Sequence, residues 1–89
     1  IDLIFREADC LVFVEVKTRS SEDWTRPAEA VDKGKRARLI KMSLAYRRKL
    51  PNPHVKYRYD IVEVLLKDGI VREIRHIENA FNEKPAHGR

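Results

Sequence analysis

Cysteine, glycine and long apolar runs are all scarce in this 89-residue chain, and each scarcity removes a class of protein. A lone Cys10 cannot close an internal disulfide, so a disulfide-stapled scaffold is excluded and a reducing cytoplasm is the expected setting. No histidine or basic neighbour in sequence acts on that thiol, and it reads as passive. With only Gly34, Gly69 and Gly88 there is no glycine-rich loop to cradle a phosphate. No apolar stretch approaches the roughly 18 residues of a membrane span, and no signal-peptide pattern opens the chain. A membrane is therefore not an expected partner. His54, His76 and His87 lack ligand spacing, which argues against zinc, and no Ser-His-Asp pattern is present. The chain also opens without methionine, inside an apolar segment that reads as a strand, so a fragment of a longer protein is the expectation.

What is abundant is charge. Hydrophobic residues make up 43% and charged residues 37%, the balance of a globular chain rather than a disordered one. The net charge is +5 and the isoelectric point about 9.6. Such a surface favours polyanions, nucleic acid ahead of an anionic membrane surface. The length suits one small domain, which buries only about 60% of the surface its unfolded chain exposes. We expect that domain over residues 1–82, followed by a frayed polar tail over 83–89.

The apolar pattern predicts two strands at 1–5 and 11–17 separated by a polar hairpin turn. A loop follows over 18–31. Asp32 then stands as N-cap to a helix over about 33–50 that Pro51 and Pro53 stop. Strands at 55–67 and 70–77 flank the tight-turn pair Asp68-Gly69. A helix between the second and third strands implies a crossover. The fold class is thus α/β, a mixed β-sheet with one long helix packed on it. On the helical wheel Ala37, Leu39, Ile40, Ser43, Leu44, Tyr46 and Leu50 share one arc, with Arg36 and Arg47 lying along it. Arg38, Lys41, Arg48 and Lys49 cluster opposite, either as a solvated face or as a phosphate-contacting one.

The chemistry centres on the hairpin. A turn at Ala8-Asp9 pairs Glu7 with Cys10, which sets Ile4 opposite Phe13 and Asp2 opposite Glu15. Alternation then places Asp2, Glu15 and Lys17 on one face. Two facing carboxylates repel. A divalent cation relieves that repulsion, and Mg²⁺ or Mn²⁺ suits a few carboxylate oxygens completed by water. A plain solvated strand face carrying alternating charges remains the alternative. Glu29 near the helix start reads as second to these or as a helix-stabilising acid, and Asp60 as a structural hydrogen-bonding group. Trp24 reads as packing under its loop or stacking on a base.

The segments IDLI, LVFVEVKTR, PAEAVDKGKRARL, YRYDIVEV and HIENAF, from Ile1 to Phe81, resemble the YraN family of small bacterial proteins. The resemblance implies a restriction-endonuclease-like, Holliday-junction-resolvase-like core, here lacking the N-terminal helix and first strand that members usually carry. It implies metal-binding carboxylates at Asp2 and Glu15 and a catalytic lysine at Lys17. The expected activity is Mg²⁺- or Mn²⁺-dependent endonuclease action on DNA, including branched DNA, and DNA is expected ahead of RNA. The alternative is a non-catalytic nucleic-acid-binding module that keeps the nuclease fold. Arg19, Arg26, Lys33, Lys35 and Arg36 are the expected nucleic-acid contacts, and a homodimer is a further expected partner state.

Overall fold

The structure is a computed structural model that describes residues 1–20 and 33–81. Strands β1 (Leu3–Glu7), β2 (Cys10–Arg19), β3 (Lys56–Lys67) and β4 (Ile70–Phe81) form one sheet in the order β1-β2-β3-β4. Helix α1 (Lys33–Arg48) lies between β2 and β3 in sequence. The two hairpins are antiparallel and β2 pairs β3 in parallel, so the sheet is mixed as expected. The 18–31 loop, with Trp24, Arg26 and Glu29, lies largely outside the described residues, as do Asp32 and the tail from Asn82.

The strand bounds differ from the sequence expectation at both hairpins. The turn is only Ala8-Asp9, with Ala8 at φ +54°, so backbone pairing continues through the polar residues Arg6, Glu7 and Cys10. Strand β4 extends beyond 77 because Phe81 stacks on Tyr59, with ring centroids 4.9 Å apart. An irregularity in the ladder makes room for this. Tyr59 pairs with Phe81 and Ile61 with Ile77, and Asn79 adopts φ +51° between them.

Side chains alternate along β2 and β3, giving each face its own character. Leu11, Phe13, Tyr59 and Ile61 build the core with Leu39 of α1 and Phe81. Phe13 bridges the layers, 5.8 Å from the Tyr59 ring and 5.9 Å from Tyr46. The helix wheel needs correction. Leu39, Ser43 and Arg47 are buried, whereas Ala37, Leu44 and Tyr46 are exposed. The stripe includes two polar residues, Ser43 and Arg47, because tyrosines meet them on the sheet. Ser43 donates to the Ile40 carbonyl (3.0 Å), which leaves the Tyr59 hydroxyl to donate to Ser43 Oγ. The Arg47 guanidinium lies 3.7 Å from the Tyr57 ring centroid and that of Arg36 5.6 Å from Phe81.

The other face of the sheet carries an ion network on Asp60. Its carboxylate accepts from Arg58 Nε (3.0 Å), the Asn79 N–H (2.9 Å) and His76 Nε2 (2.7 Å). Arg58 also reaches Glu7 on β1 at 2.9 Å, tying three strands together. Burial pushes the Asp60 carboxyl up, but Arg58, the Asn79 N–H and His76 together hold it below its ordinary 3.8. A depressed carboxylate stabilises the fold above 3.8 and loses that contribution as pH falls through the lower folded value. Asp60→Asn should therefore cost about 1.5–3 kcal/mol at pH 7, the range for hydrogen bonds to a charged group. The gap to the parent should narrow below pH 3.8. Urea denaturation of both proteins at pH 7 and at pH 3 measures it; a pH-independent gap would remove the charge from the explanation.

Candidate functional site

The pairing register expected from the turn holds from Glu7↔Cys10 to Leu3↔Val14. Continued, it would set Asp2 opposite Glu15 and give the Val16 N–H to the Ile1 carbonyl. The structure departs there. Asp2 lies just outside β1, and its N–H donates to the Val14 carbonyl at 3.0 Å. Its carboxylate Oδ2 accepts the Val16 N–H at 2.7 Å. Ile1 turns onto the helix-side core. The side chain of Asp2 thus replaces a backbone acceptor at the sheet edge. The two acids remain anchored to consecutive β2 residues, Glu15 by its own backbone and Asp2 through Val16.

Glu15, Lys17 and Arg19 follow Phe13 on the helix-side face, at the end of β2 where apolar residues give way to charge. Lys35, in the first turn of α1, reaches Glu15 Oε2 at 3.0 Å. On β3, Glu63 is the register partner of Lys17 and is 1% exposed. It accepts from Arg19 Nε at 2.9 Å, and Arg75 Nε of β4 is 3.4 Å away. Burial pushes the Lys17 ammonium below its ordinary 10.5, and Arg19 and Lys35 push the same way against Glu15 and Glu63. A lysine so placed releases its proton more readily than a solvated one.

The sequence-predicted residues are therefore divided. Asp2 is held at the Val16 N–H, between Glu15 and Lys17 along β2. Lys35 joins them as an ion-pair partner of Glu15, and Arg19 as a partner of Glu63. Arg36 lies over Phe81 on the core side. Lys33 starts α1, and Arg26 lies outside the described residues. Sequence reading missed Glu63, which looks like one more polar position in an apolar strand. Its parallel pairing with Lys17 was the available signal, since the crossover was predicted. No group of three or more His, Cys, Asp or Glu side chains converges on one point among the described residues. Two anchored carboxylates still suit a hard divalent cation that keeps most of its waters. The surrounding ammonium groups disfavour that cation until an anionic ligand offsets them.

A family model described as "Uncharacterised protein family UPF0102" matches residues 1–64. Among curated relatives, a UPF0102 protein of Dictyoglomus thermophilum is 38% identical over 82 residues, covering 91% of this chain and 70% of the relative. One of Syntrophomonas wolfei is 40% identical over 81 residues, covering 91% and 70%. One of Chloroherpeton thalassium is 39% identical over 83 residues, covering 93% of this chain and 59% of its own length. In each the shared segment includes the β2 charge cluster's neighbourhood by its extent alone.

Proposed function

Since the chain belongs to UPF0102, the family resembled above as YraN, we propose that its β2 end is the catalytic centre of a Mg²⁺- or Mn²⁺-dependent DNA endonuclease with a restriction-endonuclease-like core. The observation that carries this reading is the joint anchoring of Asp2 and Glu15 on β2 beside a lysine of lowered pKa. Carboxylates of Asp2 and Glu15 would hold the cation, which when bound polarises a phosphodiester and activates water. Lys17 takes the water's proton or offsets charge on the phosphorane. Lys35 is displaced from Glu15 and turns to a phosphate oxygen, exchanging one ion pair for another.

A second reading is favoured by a specific observation. Asp2 Oδ2 is engaged by Val16, and Glu15 is engaged by Lys35. A site whose two acids already have partners within the protein fits a non-catalytic nucleic-acid-binding module that keeps the scaffold.

The deciding experiment is cleavage of duplex and four-way-junction DNA by the full-length protein with Mg²⁺ or Mn²⁺, beside Asp2→Asn. Metal-dependent cleavage that disappears in the variant supports the enzyme. Cleavage unchanged in the variant places the activity elsewhere. A protein that binds DNA but neither takes up Mn²⁺ nor cuts leaves the binding module.

A further inference from the structure

Between Lys33 and Tyr59 the chain contains no aspartate or glutamate, and seven of the sixteen residues of α1 are lysine or arginine. On the wheel the buried residues Leu39, Ser43 and Arg47 define the inward direction. Arg38, Lys41 and Arg48, with Lys49 in the following turn, fall diametrically opposite and are exposed. None of these four is paired with a carboxylate among the described residues. Five other basic side chains, Lys35, Lys56, Arg58, Arg19 and Arg75, meet acids. No carboxylate reaches the outer helix face, which is left as an uncompensated stripe of one sign among the described residues. Like charges three and four residues apart on a helix repel. The first turn has no acid to favour the helix dipole either. Such a stripe is a cost to the isolated fold that an external polyanion removes.

We infer that the outer face of α1 is a docking surface for the sugar-phosphate backbone of nucleic acid, separate from the β2 end. Its length fits. From Arg38 to Lys49 the helix rises roughly 16 Å at 1.5 Å per residue, while duplex DNA presents one phosphate per strand about every 3.4 Å of axis. Four contacts along one backbone segment are within reach. Guanidinium forks at Arg38 and Arg48 match phosphate oxygens. The centre of the stripe is Ala45, and the exposed Met42 and Leu44 flank its charges on opposite sides without lying between them. A helix that inserts into a bilayer interface needs bulky apolar side chains on the face it presents, so nucleic acid is the fitting partner and an anionic lipid surface is not. Lys35, at the helix start, meets Glu15. The stripe therefore begins beside the proposed catalytic end and continues away from it.

The inference extends the nucleic-acid reading above without requiring cleavage, and the test separates the two. Binding of duplex DNA is measured on the full-length protein by fluorescence anisotropy in EDTA, between 50 and 200 mM salt. The variant carries Arg38→Gln, Lys41→Gln, Arg48→Gln and Lys49→Gln together. Each lost phosphate contact lowers the salt slope by about 0.9. The quadruple variant should lose roughly two to four units of slope and at least about tenfold in affinity at 100 mM salt. A control that removes two positive charges from the exposed far hairpin, Lys67→Gln with Arg72→Gln, should bind like the parent. Should the quadruple variant melt, Arg38→Gln and Lys41→Gln singly should each remove about one unit of slope. An unchanged slope, or an equal loss in the control, overturns the inference even if cleavage is observed. So does a quadruple variant that loses binding to phosphatidylserine vesicles while holding DNA as before. A lowered slope in a protein that cuts nothing leaves the inference standing and removes the enzyme.

Discussion

Glu63→Ala should cost about 3–5 kcal/mol of folding free energy, the range measured when one partner of a buried ion pair is removed. The carboxylate is 1% exposed and stands between two guanidiniums, Arg19 at 2.9 Å and Arg75 at 3.4 Å. Removing it takes the carboxylate away from Arg19, 12% exposed, and from Arg75, 37% exposed, next to Lys17 on the neighbouring strand. A domain of this size is stable by only about 0.05–0.15 kcal/mol per residue. The loss is therefore a large share of the total, corresponding to a melting temperature lower by about 12–40 °C at 4–8 °C per kcal/mol. The residual pair matters more than the missing bond. Replacing Arg19, Glu63 and Arg75 together by methionine removes all three charges at once and should recover most of the loss. Thermal and urea melts of the single and triple variants measure this. A Glu63→Ala protein within 1 kcal/mol of the parent would mean that the triad is solvated and carries no structural role.

Much of this arrangement could be read from residue order. Two apolar runs around a short polar turn, a basic helical stretch stopped by Pro51, and Asp68-Gly69 between two β-rich runs were enough to predict a mixed sheet with one crossover helix. The turn also set the β1–β2 register, because side-chain alternation leaves no half-step. What it could not set was the end of that ladder. The departure at Asp2 depends on a side-chain oxygen outcompeting a carbonyl for the Val16 N–H, and periodicity carries no information about that competition. The helix face failed for a related reason. A wheel that sorts by hydrophobicity expects Leu44 and Tyr46 inside. The sheet offers aromatic rings and a tyrosine hydroxyl, which arginine and serine satisfy better. Asp60 was legible as structural, but its partners Arg58, His76 and Asn79 come from β3 and β4 and required the β4 irregularity to meet. Glu63 was hidden because a charged residue in an apolar strand is informative only once its neighbours across the parallel ladder are known.

Those neighbours make Lys17 the most consequential single residue for the proposed chemistry. Burial lowers its pKa first, with Arg19 and Lys35 adding to the effect, while Glu15 and Glu63 pull it back. If its neutral amine accepts the proton of the attacking water, cleavage should rise with pH and level off at a value below the ordinary 10.5. Lys17→Ala should lower the cleavage rate by about 10²–10⁴-fold, the usual range for general acid–base groups, while Mn²⁺ uptake through Asp2 and Glu15 persists. Lys17→Arg separates the two roles open to this side chain. Arginine stays protonated at any accessible pH, so it supplies the charge but cannot serve as the base. Glu63→Gln, in whatever fraction folds, removes one of the carboxylates that raise the Lys17 pKa. It should therefore shift the alkaline limb to lower pH. The measurement is single-turnover cleavage from pH 6 to 10 for the parent and the three variants. A Lys17→Arg protein that keeps most of the parent rate would assign Lys17 to charge stabilisation instead of proton transfer. A Lys17→Ala protein that cuts as fast as the parent would remove the β2 end from the reaction altogether.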